Sequence, residues 1–254
     1  MTKLEKLLSR EGLFIGAHRG FSGVYPENTL LAVSEAVNLN VDLIEVDVYI
    51  TKDGVPVVCH DYNLARCSNG TGLVSDHTLA ELKKLDFGVH RGPQFEGLTL
   101  PTVEQFLDFM KPHEDILLDF DFTVTPDTVE TAKRVMPLLE RTNFMERCVF
   151  NCVDCNIVDY VTERWGKRVI SAPHDWPWIE NFKPGKDGSL SRIWGICIPY
   201  NMLDDNHVNM YRDLGIALVC TPADTPEQVK KAMDYGVLLP LCNDPRAYLR
   251  ANGR

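Results

Sequence analysis

The run EVDVYITKDGVPVVCHD, residues 45–61, sets Glu45 and Asp47 two positions apart, follows them with Asp53-Gly54 and ends in His60-Asp61. On a strand alternate side chains share a face, so Glu45, Asp47 and Tyr49 point one way and Ile44, Val46, Val48 and Ile50 the other. The apolar set belongs under a layer of helices. The two carboxylates then face a barrel interior or its mouth, where unpaired negative charge is costly to desolvate and calls for a cation between them. A second segment, DILLDFDF at 115–122, repeats the pattern with Asp119 and Asp121 against Leu118, Phe120 and Phe122, so a third carboxylate can converge on the same mouth. Oxygen ligands alone select a hard cation, Mg²⁺ or Ca²⁺, over zinc or copper.

Two histidines join this group. Asp-Gly is a tight-hairpin signal, and with Asp53 and Gly54 at the centre of a two-residue turn Lys52 pairs with Val55 and Asp47 lies opposite His60. Slipping the register by one position on each side pairs Glu45 with His60 instead. Either turn returns the imidazole to the carboxylates. The first candidate strand ends in AHRG (17–20), which delivers His18 and Arg19 to the rim where barrel enzymes work. Two imidazoles can serve as acid and base near neutral pH, and the planar fork of Arg19 suits a phosphate. His77, His90, His113, His174 and His207 lack such company and read as structural.

The elements that must hold these groups alternate along the chain. Candidate strands fall at 13–18, 42–50, 115–122, 147–151, 167–172, 192–198, 216–221 and 236–241, with amphipathic helical patterns between them, such as Val129, Ala132, Val135, Met136 and Leu139. Asn28, Asp127 and Thr225 are helix-start signals. Eight strand-then-helix units predict an α/β fold, a closed TIM (β/α)8 barrel. The competing open doubly wound sheet lacks a Gly-rich nucleotide loop after the first strand. Residues 51–101 break the alternation; they are rich in turn formers, hold one short helix near TLAELKKL, and are too long for an ordinary connection.

The 254 residues are 44% hydrophobic, enough for one large domain spanning 1–254. A formal charge of −10 argues against a general binder of nucleic acid or of anionic membranes. The N-terminal MTKLEKLLSREGLF interrupts its apolar positions with charges, and no later stretch is long enough to cross a bilayer, so a cytoplasmic protein without stable membrane insertion is expected. Eight cysteines scattered among apolar residues suit buried thiols in a reducing compartment, and the Cys152-x-x-Cys155 pair has no second ligand pair to make a zinc site. SNGTG (68–72) reads as a turn, while PHDWPW (173–178) fits either an aromatic lid or simple packing on a neighbouring helix.

Taken together, AHRG (17–20), PENT (26–29), IEVDVYITKDGVPVVCHD (44–61), LARCSNGTGLVSDHTLAELKKLDFG (64–88) and LPTVEQFL (100–107) resemble the glycerophosphodiester phosphodiesterases. The resemblance implies a TIM barrel with a characteristic insertion at 51–101 after the second strand, and metal-dependent hydrolysis of a small-molecule glycerophosphodiester to glycerol 3-phosphate and an alcohol. It implies that His18 and His60 are the catalytic acid and base, that Arg19 binds the phosphate, that Glu27 supports the site, and that Glu45 and Asp47 bind Mg²⁺ or Ca²⁺. The family's next strand overlays LDFDFT (118–123), which puts Asp121 in the third metal-ligand position and Thr123 where the family has lysine. LVCTPADT (218–225) and LCNDP (241–245) match only loosely. A different lipid-derived or polyol phosphodiester, or a ligand-binding barrel with little turnover, remain the rival readings, and assembly as a homo-oligomer is left open.

Overall fold

The structure, a computed structural model, describes residues 1–122 and 127–254. Thr123 therefore lies outside the described residues. Eight parallel strands close into a barrel in the order β1 (Gly16–His18), β2 (Leu43–Ile50), β4 (Leu117–Phe122), β5 (Cys148–Cys152), β6 (Val169–Ser171), β7 (Gly195–Pro199), β8 (Ala217–Thr221) and β9 (Leu239–Cys242), with β9 pairing back onto β1. An additional strand, β3 (Pro56–Val58), runs antiparallel to the upper half of β2. Each of the eight segments predicted as strands overlaps one of the barrel strands, with β5, β7 and β9 running one residue past the predicted end. The expected strand-then-helix rhythm fails once: among the described residues the β6–β7 connection carries only a short 3₁₀ turn, Ser189–Ser191. Pro173, Pro177, Pro184, Gly185 and Gly188 account for this, since each removes a donor or adds backbone freedom that a helix interior cannot use. In that segment His174 hydrogen-bonds the Tyr211 hydroxyl through Nδ1 (3.0 Å), whereas Trp178 is 64% exposed.

The period-two pattern sorts the barrel into an apolar lower half and a polar mouth. Leu43, Leu117, Val149, Ile170, Ala217, Val219, Leu239 and Leu241 pack together inside the barrel. Helix α1 (Lys3–Leu8) closes the N-terminal end with Leu4 and Leu7 in the same cluster. Two residues further up the same strands stand Glu45, Asp119 and Asn151, and two beyond Glu45 and Asp119 stand Asp47 and Asp121. Ile44, Val46, Val48, Leu118, Phe120 and Phe122 face the opposite way into the shell between barrel and helices, as their alternation predicts.

The turn after β2 differs from the expected one. Lys52, Asp53 and Gly54 form a three-residue loop: Thr51 N–H donates to Val55 O (3.0 Å), Gly54 N–H donates to Thr51 O (2.9 Å), and Gly54 is left-handed at φ +79°. The Thr51 hydroxyl fixes this shape by accepting from Val55 N–H (2.9 Å) and donating to Asp53 Oδ1 (2.6 Å). The register is then Val48↔Val58, Tyr49↔Val57 and Ile50↔Pro56, and Cys59 N–H donates to Asp47 O (3.0 Å). Asp47 is thus opposite Cys59, in neither of the two registers expected, and a one-residue shift turns the side chains to the other face. His60 reaches the mouth because the strand ends at Val58 and the chain bends. Tyr49, expected beside Glu45 and Asp47, packs instead in a cluster with Val57, Cys59, Leu64, Cys67, Val74, Leu82, Phe87 and Leu100, and its hydroxyl donates to His60 O (2.6 Å). Residues 51–101 are therefore a small core of their own seated on the rim, with one short helix, α3 (Leu79–Leu82), started by the Thr78–Glu81 capping box.

At the end of β1, Arg19 (φ +60°) and Gly20 (φ +74°) are both left-handed, which turns the chain sharply under the first barrel helix, α2 (Leu30–Asn38). A Cβ on Gly20 would stand 2.6 Å from the Ala32 carbonyl carbon and 2.7 Å from its oxygen. Gly20→Ala is expected to cost at least about 2 kcal/mol of unfolding free energy through clash and backbone strain combined; a urea melt with an unchanged midpoint would show that this turn does not constrain the fold.

Candidate active site

Parallel pairing puts Glu45 beside Asp119 and Asp47 beside Asp121, so four carboxylates crowd two adjacent strands. Glu45 and Asp47 are 1% exposed and Asp119 is fully buried. Burial, reinforced by Asp47 and Asp121, pushes the Glu45 carboxyl well above the usual carboxylate range. Burial with Asp47 and Asp119 does the same to Asp121, and burial with Asp47 pushes Asp119 up to about 7. One oxygen each of Glu45, Asp47 and Asp121 lie within 4.8 Å of one another. Ligands around a single Mg²⁺ or Ca²⁺ are about 3–5 Å apart at the usual bond lengths. Glu45 Oε1 is buried with no hydrogen-bond partner among the described residues. An all-oxygen donor set with an orphaned buried carboxylate oxygen fits a hard cation, and among the described residues no other His, Cys, Asp or Glu group meets the same test.

Arg19 is the guanidinium that meets this nest. Its backbone N–H donates to Glu45 Oε2 (2.7 Å), its Nε lies 3.2 Å from Asp47 Oδ2, and its Nη1 donates to Glu27 Oε1 (3.1 Å). The left-handed turn at Arg19 is what aims backbone and side chain at the same carboxylates. Asn28, also left-handed at φ +57°, donates from Nδ2 to Asp47 Oδ2 (2.7 Å) and accepts Asp47 N–H at Oδ1 (3.3 Å). The helix start assigned to Asn28 in the sequence belongs to Thr29, whose hydroxyl accepts from Ala32 N–H (3.2 Å).

Glu27 continues the network outward. Arg66, from the 51–101 segment, donates to both its oxygens (2.9 and 2.6 Å) and also pairs with Asp61. Burial opposes ionisation of Glu27, but Arg66 and Arg19 hold its carboxyl down at about 2. Asp61 in turn accepts the His60 Nδ1–H at 2.6 Å; Arg66 Nη2, itself only a donor, lies farther from that nitrogen at 3.2 Å and finds no lone pair there. The chain Arg19–Glu27–Arg66–Asp61–His60 thus ties the insertion to the barrel rim.

His18 has a different partner. Its Nδ1 lies 2.8 Å from Asn243 Oδ1, beyond the end of β9. Burial, with Arg19 nearby and His60 adding to it, lowers the His18 pKa to about 4 against the opposing pull of Asp47 and Asn243. With both Nδ1 atoms engaged, each ring has Nε2 left for chemistry. Two imidazoles, one arginine and a carboxylate nest can transfer protons to and from a bound phosphate ester while holding its charge.

The profile of the glycerophosphoryl diester phosphodiesterase family matches residues 18–171, from His18 on β1 to the end of β6. The chain belongs to that family. It is 42% identical over 130 residues to a glycerophosphodiester phosphodiesterase of Bacillus subtilis (strain 168), covering 48% of this chain and 43% of that protein. It is 37% identical over 139 residues to one from Caldanaerobacter subterraneus subsp. tengcongensis, covering 53% of this chain and 56% of that protein. The chain thus matches about half the length of each relative. Among solved structures, an Oleispira antarctica phosphodiesterase in complex with the product sn-glycerol-3-phosphate superposes with a TM-score of 0.81 at 21% identity, covering 97% of this chain and 99% of that one. That likeness supports the barrel fold.

Within the family frame, the residues singled out in the sequence as His18, Arg19, Glu27, Glu45, Asp47, His60 and Asp121 all gather at this one mouth. Four further residues that touch them went unrecognised. Asp61 and Arg66 stand inside quoted motifs, and only the bend at His60 reveals what they hold. Asn28 was absorbed by its helix-start pattern, and Asn243 comes from a stretch that matches the family loosely.

In the cation-free fold the carboxyls of Glu45, Asp119 and Asp121 are raised above their unfolded values, so that fold loses stability as pH rises above about 4, for Asp119 through about 7. His18, depressed from 6.5 to about 4, works the other way, losing stability as pH falls across that window, but it is one group against three. Protons and a cation compete for the same oxygens. The rise in melting temperature on adding Ca²⁺ or Mg²⁺ is therefore expected to be larger at about pH 8 than at about pH 5.5; thermal melts with chelator or excess metal check this, and an equal or smaller rise at the higher pH contradicts it.

Proposed function

We propose that the protein hydrolyses glycerophosphodiesters to glycerol 3-phosphate and an alcohol, with His18 and His60 as the proton-transfer pair. The observation that carries this reading is the unlike tethering of two imidazoles near one carboxylate nest: His18 to a neutral amide, His60 to a carboxylate. Glu45, Asp47 and Asp121 would hold Mg²⁺ or Ca²⁺, which when bound offsets the charge of the phosphodiester and of the oxygens that gain negative charge during the reaction.

The chain's own residues supply the rest. Arg19, with Nε and Nη1 turned to Asp47 and Glu27, presents Nη2 to a phosphoryl oxygen. His18, kept neutral by burial, takes the proton of the attacking oxygen at Nε2. His60 gives its Nε2 proton to the leaving alkoxide, and Asp61 balances the charge its ring carries before that step. Glu27 and Arg66 keep Arg19 and His60 at a fixed separation. Attack by the neighbouring glycerol hydroxyl and attack by water both satisfy this arrangement.

Purified protein is expected to release glycerol 3-phosphate from glycerophosphocholine, measured by a coupled oxidation assay. Chelation should abolish the release, and His18→Ala or His60→Ala should lower kcat by about 10²–10⁴-fold. Activity that survives chelation, or either alanine variant at wild-type rate, would remove the basis of the reading.

A further inference from the structure

We infer that Asp224, which touches neither the carboxylate nest nor a reacting atom, is a positioning residue that selects the tautomer of His18 by fixing which way the Asn243 side chain faces.

One amide links the two residues. Asn243 Nδ2 donates to Asp224 Oδ2 (2.9 Å), and the other Asp224 oxygen accepts the Asp244 backbone N–H (2.9 Å). A carboxylate bridging two N–H donors has no donor of its own to offer, so rotating the amide by half a turn would set its oxygen against a carboxylate oxygen. The other neighbours of Asn243 do not decide between the two orientations. The Ser22 hydroxyl has one proton for two acceptors, His18 O at 2.7 Å and Asn243 Oδ1 at 3.2 Å; on the nearer carbonyl it leaves Oγ an acceptor toward the amide, a neutral contact that the charged Asp224 outweighs. A neutral imidazole nitrogen is likewise either donor or acceptor. Asp224, the charged acceptor, is thus the partner that holds the amide in this orientation.

With Oδ1 facing the ring at 2.8 Å, His18 Nδ1 must carry the proton, and Nε2 is left as a lone pair toward the site. The reverse amide would present N–H to Nδ1 and leave the proton on Nε2, the wrong form for removing one from an attacking oxygen. The backbone keeps the relay in register: Gly23 N–H donates to Asn243 O (2.8 Å), and a Cβ on Gly23 would stand 3.0 Å from that oxygen, so the His18 turn and the loop after β9 are held in close contact. Asp224 lies in the loop after β8, so three barrel-strand ends (β1, β8 and β9) supply the three members of the relay.

The structural half of this inference stands without catalysis; its consequence for turnover rests on the proposed function. The test is ¹⁵N NMR of histidine-labelled protein at about pH 7.5, with the His18 signals assigned by their loss in His18→Gln, since ¹⁵N shifts separate protonated from unprotonated ring nitrogens. Wild type is expected to show His18 protonated at Nδ1 and bare at Nε2. Asp224→Ala should shift a third or more of the population to the Nε2-protonated form, and Asp224→Glu should restore the wild-type pattern. With glycerophosphocholine, Asp224→Ala should lower kcat by about tenfold or more with KM within about twofold, and Asp224→Glu should recover most of it. A wild-type ring protonated at Nε2, or a folded Asp224→Ala with the wild-type tautomer, overturns the inference; if Asp224→Ala does not fold, Asp224→Asn, which keeps the side-chain volume but removes the charge, is read in its place against the same two outcomes. A tautomer shift in a protein that shows no phosphodiesterase activity supports the relay and counts against the proposed function instead.

Discussion

Four carboxylates on two neighbouring strands, three of them with almost no contact with water, are the constraint that the rest of the mouth answers. Like charges in such a place repel strongly, and the first response is to keep protons, which is why the carboxyls of Glu45, Asp119 and Asp121 are pushed up. The second response is Arg19. Its left-handed backbone brings an N–H to Glu45 and a guanidinium to Asp47 from one residue, a conformation that costs strain at a non-glycine position and is sustained by those contacts. One arginine does not balance four carboxylates, and the orphaned Glu45 Oε1 marks where positive charge is still missing.

The barrel makes this charge density bearable by confining it. Leucine, valine and isoleucine fill the interior one step below Glu45 and Asp119, with α1 beneath them, so the acidic groups have a rigid floor and a single opening. The two histidines enter from opposite supports. His18 ends a barrel strand and leans on the loops after β8 and β9, whereas His60 comes from the appended core around Leu64, Leu82 and Phe87. The ion-pair chain through Glu27 and Arg66 is what converts two separately supported rings into one arrangement. Arg66 is half exposed, so the outer end of this chain is the part that solvent screens most.

Much of this was legible in the sequence because a period of two is unambiguous when one face is acidic and the other aliphatic. The alternation of Glu45 and Asp47 with Ile44, Val46 and Val48 gave both the strand and its orientation, and Asp119 and Asp121 repeated it. Hairpin register was not legible, because it depended on the Thr51 hydroxyl capturing Asp53 and Val55 and so adding one residue to the turn. The relay behind His18 was invisible for a different reason: Asp224 and Asn243 are contributed by distant strand ends, and nothing local in either segment announces a shared partner. Asn28 shows a third kind of loss, a residue whose local pattern suggests a cap while the tertiary fold spends its side chain on Asp47.

The claim beneath all of this is that the carboxylate nest is a binding site for one hard cation. A crystal structure of protein soaked with Mn²⁺ and measured at the metal's absorption edge addresses it directly. An anomalous peak bonded to one oxygen from each of Glu45, Asp47 and Asp121, at about 2.0–2.6 Å, is the expected result. A mouth without such a peak, its carboxylates neutralised by Arg19 and protons alone, would contradict it.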